Sequence, residues 1–195
     1  MPTLVLASSS PYRRMLLERL GVPFTVVSPK IDETPRPGER PAEIALRLAE
    51  SKARAVAATR PGALVIGSDQ VAECGGALIG KPRDAAHALE QLRAMQGRTA
   101  VFHTGVALFN SGSGRCQTAL VDVVSTFRTL DDAALENYLE RERPFDCAGS
   151  VKAEALGIAL FTRIASDDPT ALIGLPLIRL TDMLLAEGVT PLMKK

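Results

Sequence analysis

The run Leu64-Val65-Ile66-Gly67-Ser68-Asp69-Gln70 sets the strongest constraint on how this chain folds. Three aliphatic residues in succession read as a strand buried on both faces, the kind that occupies the middle of an α/β sheet. The switch to glycine, serine, an acid and an amide is hard to explain as core packing. It places Asp69 at or just beyond the carboxyl end of the strand, where such sheets open their clefts.

Flanking segments supply the other elements. Thr3 to Ala7 reads as a buried strand that runs into a serine cluster. Ser10 is a good N-cap, Pro11 suits the first helical position, and Gly21 stops the helix so begun. Phe24 to Val27 follows as a strand. The stretch from Ser28 to Arg40, rich in proline and charge, is expected to be a loop. Helices are predicted from Pro41 to about Thr59, Asp84 to Met95, Asp131 to Arg141 and Pro176 to Ala186. Thr99 to Phe109 and Gln117 to Phe127 form a hairpin around a turn at 110–114, which makes the sheet mixed. The expected class is α/β, or mixed α+β, in a single domain over 1–195, with two lobes allowed.

Composition narrows the partners. The formal charge is +1 with acids and bases interspersed, so the broad cationic field that nucleic acid demands is missing. Cys74, Cys116 and Cys147 lie far apart and are odd in number, which argues for a reducing, cytoplasmic setting rather than a disulfide framework. The amino-terminal apolar run carries no basic region before it and reads as a strand, not a signal peptide. No apolar stretch is long enough to span a bilayer.

Several residues resist a purely structural explanation. Arg13 and Arg14 occupy the first turns of a helix, where the backbone dipole disfavours cations unless an anion is shared there. Ser8, Ser9 and Ser10 add hydroxyl donors at the same point, giving a phosphate cradle as one reading and an ordinary capped helix with solvated arginines as the other. Ile44, Leu48 and Lys52 fall on one helix face, so Lys52 either snorkels to solvent or meets a buried anion. Asp32, Glu33 and Asp69 are the carboxylates best placed for chemistry. A hard cation such as magnesium would bridge such oxygens to substrate phosphates.

Other motifs are set aside. Gly75 to Lys81 matches the spacing of a phosphate-binding P-loop, but Pro82 stands where a hydroxyl must bind magnesium. Ala77-Leu78-Ile79 reads instead as a strand leaving a Gly-Gly turn, with Lys81 still able to touch a phosphate from a loop. His87 and His103 have no ligand spacing, and the serines lack a G-x-S-x-G setting. Cations, hydroxyls and carboxylates without a nucleophile suit metal-assisted attack of water on a phosphoanhydride.

The ordered set Leu4-Val5-Leu6-Ala7-Ser8-Ser9-Ser10-Pro11-Tyr12-Arg13-Arg14, Asp32-Glu33-Thr34-Pro35, Lys52-Ala53, Gly67-Ser68-Asp69-Gln70, Gly80-Lys81-Pro82, Cys147-Ala148-Gly149-Ser150 and Gly174-Leu175-Pro176 resembles the Maf family of nucleoside triphosphate pyrophosphatases. The resemblance implies an elongated, two-lobed fold of the inosine triphosphatase-like kind, with a central mixed sheet and a deep cleft, commonly as a homodimer. It implies Asp69 as the catalytic carboxylate. Ser8, Ser10, Arg13, Arg14, Lys52 and Lys81 would surround the triphosphate, and Glu33 with Asp69 would place a divalent metal, magnesium or else manganese. The family commonly has arginine where Tyr12 stands and threonine where Gln70 stands. Those departures, with Lys152 and Glu154, look like the branch that converts 7-methyl-GTP to the monophosphate and diphosphate.

A physical argument accompanies that branch. Guanine methylated at its seventh position is cationic, and the face of Tyr12 attracts a cation more than a neutral base. Glu154, when ionised, could accept two N–H donors from the guanine edge. The alternatives are the same chemistry on dTTP, UTP or CTP, and a nucleotide-binding regulatory protein of cell division with little turnover.

Overall fold

The computed structural model describes residues 2–192. Strand β1 (Leu4–Ala7) is buried at every position and pairs in parallel with β2 (Phe24–Val27) on one side and β3 (Leu64–Cys74) on the other. Past β3 the sheet continues through β5 (Thr99–Asn110), β6 (Cys116–Phe127) and β7 (Phe161–Ala165), while β4 (Ala77–Ile79) pairs antiparallel with the far end of β3. Because β7 runs antiparallel to β6, the sheet is mixed. The α-helices among the described residues are α1 (Pro11–Glu18), α2 (Pro41–Ala57), α3 (Ala85–Met95), α4 (Asp132–Glu142) and α5 (Leu177–Ala186).

The chain separates into two compact units, neither continuous in sequence. The first takes residues up to Asp69, Thr104–Val121 and those from Asp168 onward; the second takes Gln70–His103 and Asp122–Asp167. In the first unit, alternation along the strands divides two cores. Leu4, Leu6, Leu64, Ile66, Val106 and Leu108 point to one face, where they meet Leu16 and Leu17 of α1 and Leu180 and Leu184 of α5. Val5, Ala7, Val65 and Ala107 point to the other, against Ala49, Ala53 and Val56 of α2. Leucines fill the first core with bulk, and alanines let the backbones approach on the second.

That approach is closest at two glycines. A Cβ on Gly67 would collide with the carbonyl oxygen of Ala49 and lie 2.8 Å from the amide nitrogen of Ala53, and one on Gly105 would lie 2.5 Å from the carbonyl oxygen of Ala45. Helix α2 therefore lies directly on the sheet at these two points. Asp69, two residues beyond Gly67, leaves the strand toward the same helix.

The second unit joins α3 to α4 through a two-pronged ion pair of Arg93 with Asp132, at 2.9 and 2.7 Å. Phe127 and Phe161 pack as tilted rings with centroids 4.7 Å apart. His103 is buried between Asp122 at 2.7 Å and Glu73 at 3.1 Å, a structural bridge across three strands.

Two expectations need correction. Strand β3 does not stop at Ile66 but runs on to Cys74, so Asp69 sits in mid-strand. The polar switch marks instead where the neighbouring strand ends: Ala7, the last residue of β1, lies opposite Gly67, and Asp69 emerges past it. Strand β7 was not anticipated, because Phe161-Thr162-Arg163-Ile164-Ala165 has exposed polar residues and only a short apolar pattern.

Candidate active site

In the first unit the charged residues gather where β1 ends. Lys52 is 5% exposed and Asp69 7% exposed, values that rule out a snorkelling lysine. The lysine ammonium lies 2.6 Å from Asp69 Oδ1 and 3.0 Å from Glu33 Oε1. Residues from the proline-rich loop, α2 and β3 thus meet on one cation. Glu33 itself is largely exposed, with 55% of its side chain open to solvent.

The loop reaches this point because α2 holds it. Arg47 forms two hydrogen bonds to the carboxylate of Glu39, through Nε and through Nη2, the latter at 2.7 Å, and Nη2 also reaches the carbonyl oxygen of Thr34 at 3.3 Å. Asp32 spends its own carboxylate locally, accepting the Thr34 amide at 2.9 Å, which closes a turn directly around Glu33. Hydrogen bonds from Arg47 and the Arg36 amide pull the Glu39 carboxyl down to about 2.

On the opposite face of the same strands, Ser10 caps α1 by accepting the Arg13 amide at 3.4 Å, and Ser8 Oγ accepts the Ser10 amide at 3.1 Å. The Arg13 guanidinium turns inward. Its Nε donates to the carbonyl oxygen of Gly174 at 2.8 Å, and Nη1 makes a long contact to Ser8 Oγ at 3.5 Å. Burial lowers the Arg13 pKa from its ordinary value, while the carboxylates of Asp69 and Glu33 oppose that shift. Arg14 behaves differently: it is exposed and pairs with Glu18 one turn along, at 3.0 Å. Tyr12 is half-buried beside them.

Gly174 is a shared acceptor. Ser68 Oγ lies 2.8 Å from its carbonyl oxygen and 2.8 Å from that of Gly105. The segment carrying Gly174 is organised by Asp168, 1% exposed, whose carboxylate accepts from the amides of Thr170, Ile178 and Arg179 and from the Thr170 hydroxyl. Two of those donors open α5, so Asp168 caps that helix from outside it.

In the second unit, Gln70 is half-buried and Lys81 is exposed in the loop after β4. Lys152 is half-buried, its ammonium donating to the carbonyl oxygen of Glu142. Glu154 is half-buried too. Burial raises its carboxyl from the ordinary range, the nearby carboxylates of Glu142 and Asp146 add to this, and a backbone hydrogen bond and Lys152 oppose it.

A family model described as Maf-like protein matches residues 3–187. The chain belongs to the Maf-like family. Among curated relatives, the 7-methyl-GTP pyrophosphatase of Ralstonia nicotianae is 58% identical over 183 residues, 94% of each chain. That of Thiobacillus denitrificans is 58% identical over 188 residues, 96% of this chain and 94% of the relative. That of Bordetella pertussis is 57% identical over 191 residues, 98% and 95% of the two chains.

Within this Maf-like chain, the first unit groups Lys52, Glu33 and Asp69 on one face of the strands and Ser8, Ser10 and Arg13 on the other, with the Arg13 charge within reach of the Asp69 and Glu33 carboxylates, and leaves Arg14 on an outer helix surface. No group of three His, Cys, Asp or Glu suited to a metal occurs among the described residues. The Glu33 and Asp69 carboxylates, which here meet on the Lys52 ammonium, are oxygen donors of the kind a hard divalent cation takes. Sequence reasoning missed Asp168 and Arg47. Asp168 stands next to another aspartate in an ordinary loop, and Arg47 looks like a solvated helix arginine; their partners lie far away along the chain.

Proposed function

We propose that this protein is a nucleotide pyrophosphatase that hydrolyses 7-methyl-GTP to 7-methyl-GMP and diphosphate. The observation that carries the chemistry is the buried Lys52–Asp69 pair with Glu33 and the enclosed Arg13 guanidinium, a site of fixed charges without a nucleophile. Identities of 57–58% to enzymes named for 7-methyl-GTP support the substrate. The setting is cytoplasmic, as the odd number and wide spacing of Cys74, Cys116 and Cys147 argue, and the assembly a homodimer, as the resemblance implies. The whole chain acts as one catalytic domain.

Asp69 orients the attacking water and takes its proton, and Lys52 holds the carboxylate in one rotamer through Oδ1, leaving Oδ2 for the water. Arg13 holds the phosphate chain, its own orientation set by the Gly174 carbonyl and Ser8, and Ser8 and Ser10 flank it. Lys81 would meet the phosphates, as the resemblance implies. Arg14, paired with Glu18, adds only long-range charge. Glu33 and Asp69 would hold magnesium, or manganese, which supplies charge neutralisation of the phosphate oxygens when bound.

Tyr12, Gln70, Lys152 and Glu154 set base choice. Glu154 is suited to a cationic base: burial and the neighbouring Glu142 and Asp146 carboxylates push its carboxyl up, and a cationic guanine edge supplies donors and charge that favour its ionised form.

The test is a panel of 7-methyl-GTP, GTP, dTTP, UTP and CTP with magnesium, following monophosphate and diphosphate. Selective release from 7-methyl-GTP is expected, lost when Tyr12→Arg, Gln70→Thr and Glu154→Gln are combined. Preference for a pyrimidine would overturn the base assignment alone, and absence of release would overturn the enzyme.

A further inference from the structure

The second unit contains a hydrogen-bonded clamp that joins the Lys81 loop to the segment bearing Lys152 and Glu154. Gly149 and Ser150 form a short 3-10 turn with positive φ at both, 67° and 58°. Glycine tolerates that conformation, whereas serine adopts it only when its surroundings impose it. Two side chains hold Ser150 there. Its hydroxyl donates to Gln91 Oε1 at 2.7 Å, and its carbonyl oxygen accepts from the Tyr138 hydroxyl at 3.0 Å.

Each of those side chains makes a second bond. Gln91 Nε2 donates to the carbonyl oxygen of Gly80 at 3.1 Å, and that oxygen also accepts the Gly149 amide at 3.3 Å. Gly80 immediately precedes Lys81. The Tyr138 oxygen accepts the Lys152 amide at 3.0 Å, so one buried phenol grips the backbone on both sides of Val151. The following turn closes over Lys152: the Leu156 amide donates to Glu142 Oε1 at 3.2 Å, and a Cβ on Gly157 would come within 2.7 Å of the Lys152 carbonyl carbon.

We infer that Gln91 and Tyr138 are positioning residues that lock the Lys152–Glu154 segment and the Lys81 loop into one rigid body, so that base choice and phosphate placement depend on side chains touching neither. This rests on the assignment of Lys81 to the phosphates and of Lys152 and Glu154 to the base. Neither residue announces itself in sequence, where Gln91 is one more polar residue of α3 and Tyr138 one more apolar-face residue of α4. The strained Ser150 is where their bonds converge.

The test compares the wild-type chain with Tyr138→Phe, Gln91→Met and Gln91→Glu, measuring kcat and KM for 7-methyl-GTP and GTP alongside melting temperature. Tyr138→Phe removes only the hydroxyl and is expected to raise KM for 7-methyl-GTP about tenfold, the worth of roughly one to two hydrogen bonds, and to narrow the preference over GTP. Gln91→Met is expected to raise KM and lower kcat together. Gln91→Glu keeps the acceptor for Ser150 and loses the donor for Gly80, so it should recover base preference while kcat stays low. Variants that retain the wild-type preference, with changes that only track melting temperature, would overturn the clamp. If the wild-type chain itself favours another nucleotide, the substrate assignment fails, and the same variants are judged by loss of preference for that nucleotide.

Discussion

Lys52 and Asp69 are nearly water-free, so each depends on the other more than surface charges do. Removing one member of such a pair strands the other, at a cost of about 3–5 kcal/mol. Lys52→Met is therefore expected to lower unfolding stability in urea by about 3 kcal/mol, with most of it recovered when Asp69→Leu is added. No recovery would mean that the lysine acts by packing alone. Asp69→Asn keeps the shape and a partner oxygen for Lys52, and is expected to abolish turnover while nucleotide affinity by calorimetry stays near wild type. Equal activity would remove Asp69 from the mechanism. Glu154 makes a pH-dependent case. Its carboxyl titrates above the usual glutamate value, and only the ionised form attracts a cationic base. KM for 7-methyl-GTP should thus rise as pH falls through that raised value, and Glu154→Gln should flatten this limb of the profile. An unchanged limb in the variant would place the titration elsewhere.

Helix α2 carries the pieces that build the first unit's site, and it does so by lying against Gly67 and Gly105. A methyl at Gly67 meets helix backbone, which cannot turn aside as a side chain would. Gly67→Ala is expected to destabilise by about 3 kcal/mol or more, above the usual range for overpacking, and to separate Lys52 from Asp69. A loss under about 1 kcal/mol in urea unfolding would show that the helix rides more loosely than described. The proline-rich loop hangs from the same helix by Arg47. Because the Glu39 carboxyl is held at about 2, below its ordinary value of 4.5, this anchor stabilises the fold above pH 4.5 and is lost as pH falls toward 2. Arg47→Met should remove that acid-sensitive contribution. Much of this scale was legible beforehand: the cap at Ser10, the five helices, with starts placed at Asp84 and Asp131, and the Gly-Gly turn before β4 all follow from local chemistry. What was not legible depends on partners distant in sequence. Periodicity left Lys52 undecided between solvent and a buried anion, since nothing local reveals that Gly67 draws α2 onto β3. The length of β3 was misjudged for the same reason: a polar switch reports the end of a neighbour as readily as the end of the strand itself.

The two units share three strands, since β3, β5 and β6 each pass from one to the other. Chain that crosses between units repeatedly leaves neither a continuous segment able to fold by itself. Unfolding is therefore expected as one cooperative transition, with coincident midpoints by circular dichroism and by fluorescence of Tyr12 and Tyr138, the two tyrosines and in separate units. Separate midpoints would mean independent domains. The resemblance carried the reading from residues to reaction at this scale, since no single motif among Ser8–Arg14, Gly67–Gln70 and Gly174–Pro176 specifies a pyrophosphatase. The proposed reaction is attack of water, guided by Asp69, on the α-phosphate. Hydrolysis of 7-methyl-GTP in oxygen-18 water, read by mass spectrometry of both products, tests it. The label is expected in 7-methyl-GMP and not in diphosphate; label in diphosphate, or in orthophosphate released from the chain end, would overturn attack at the α-phosphate.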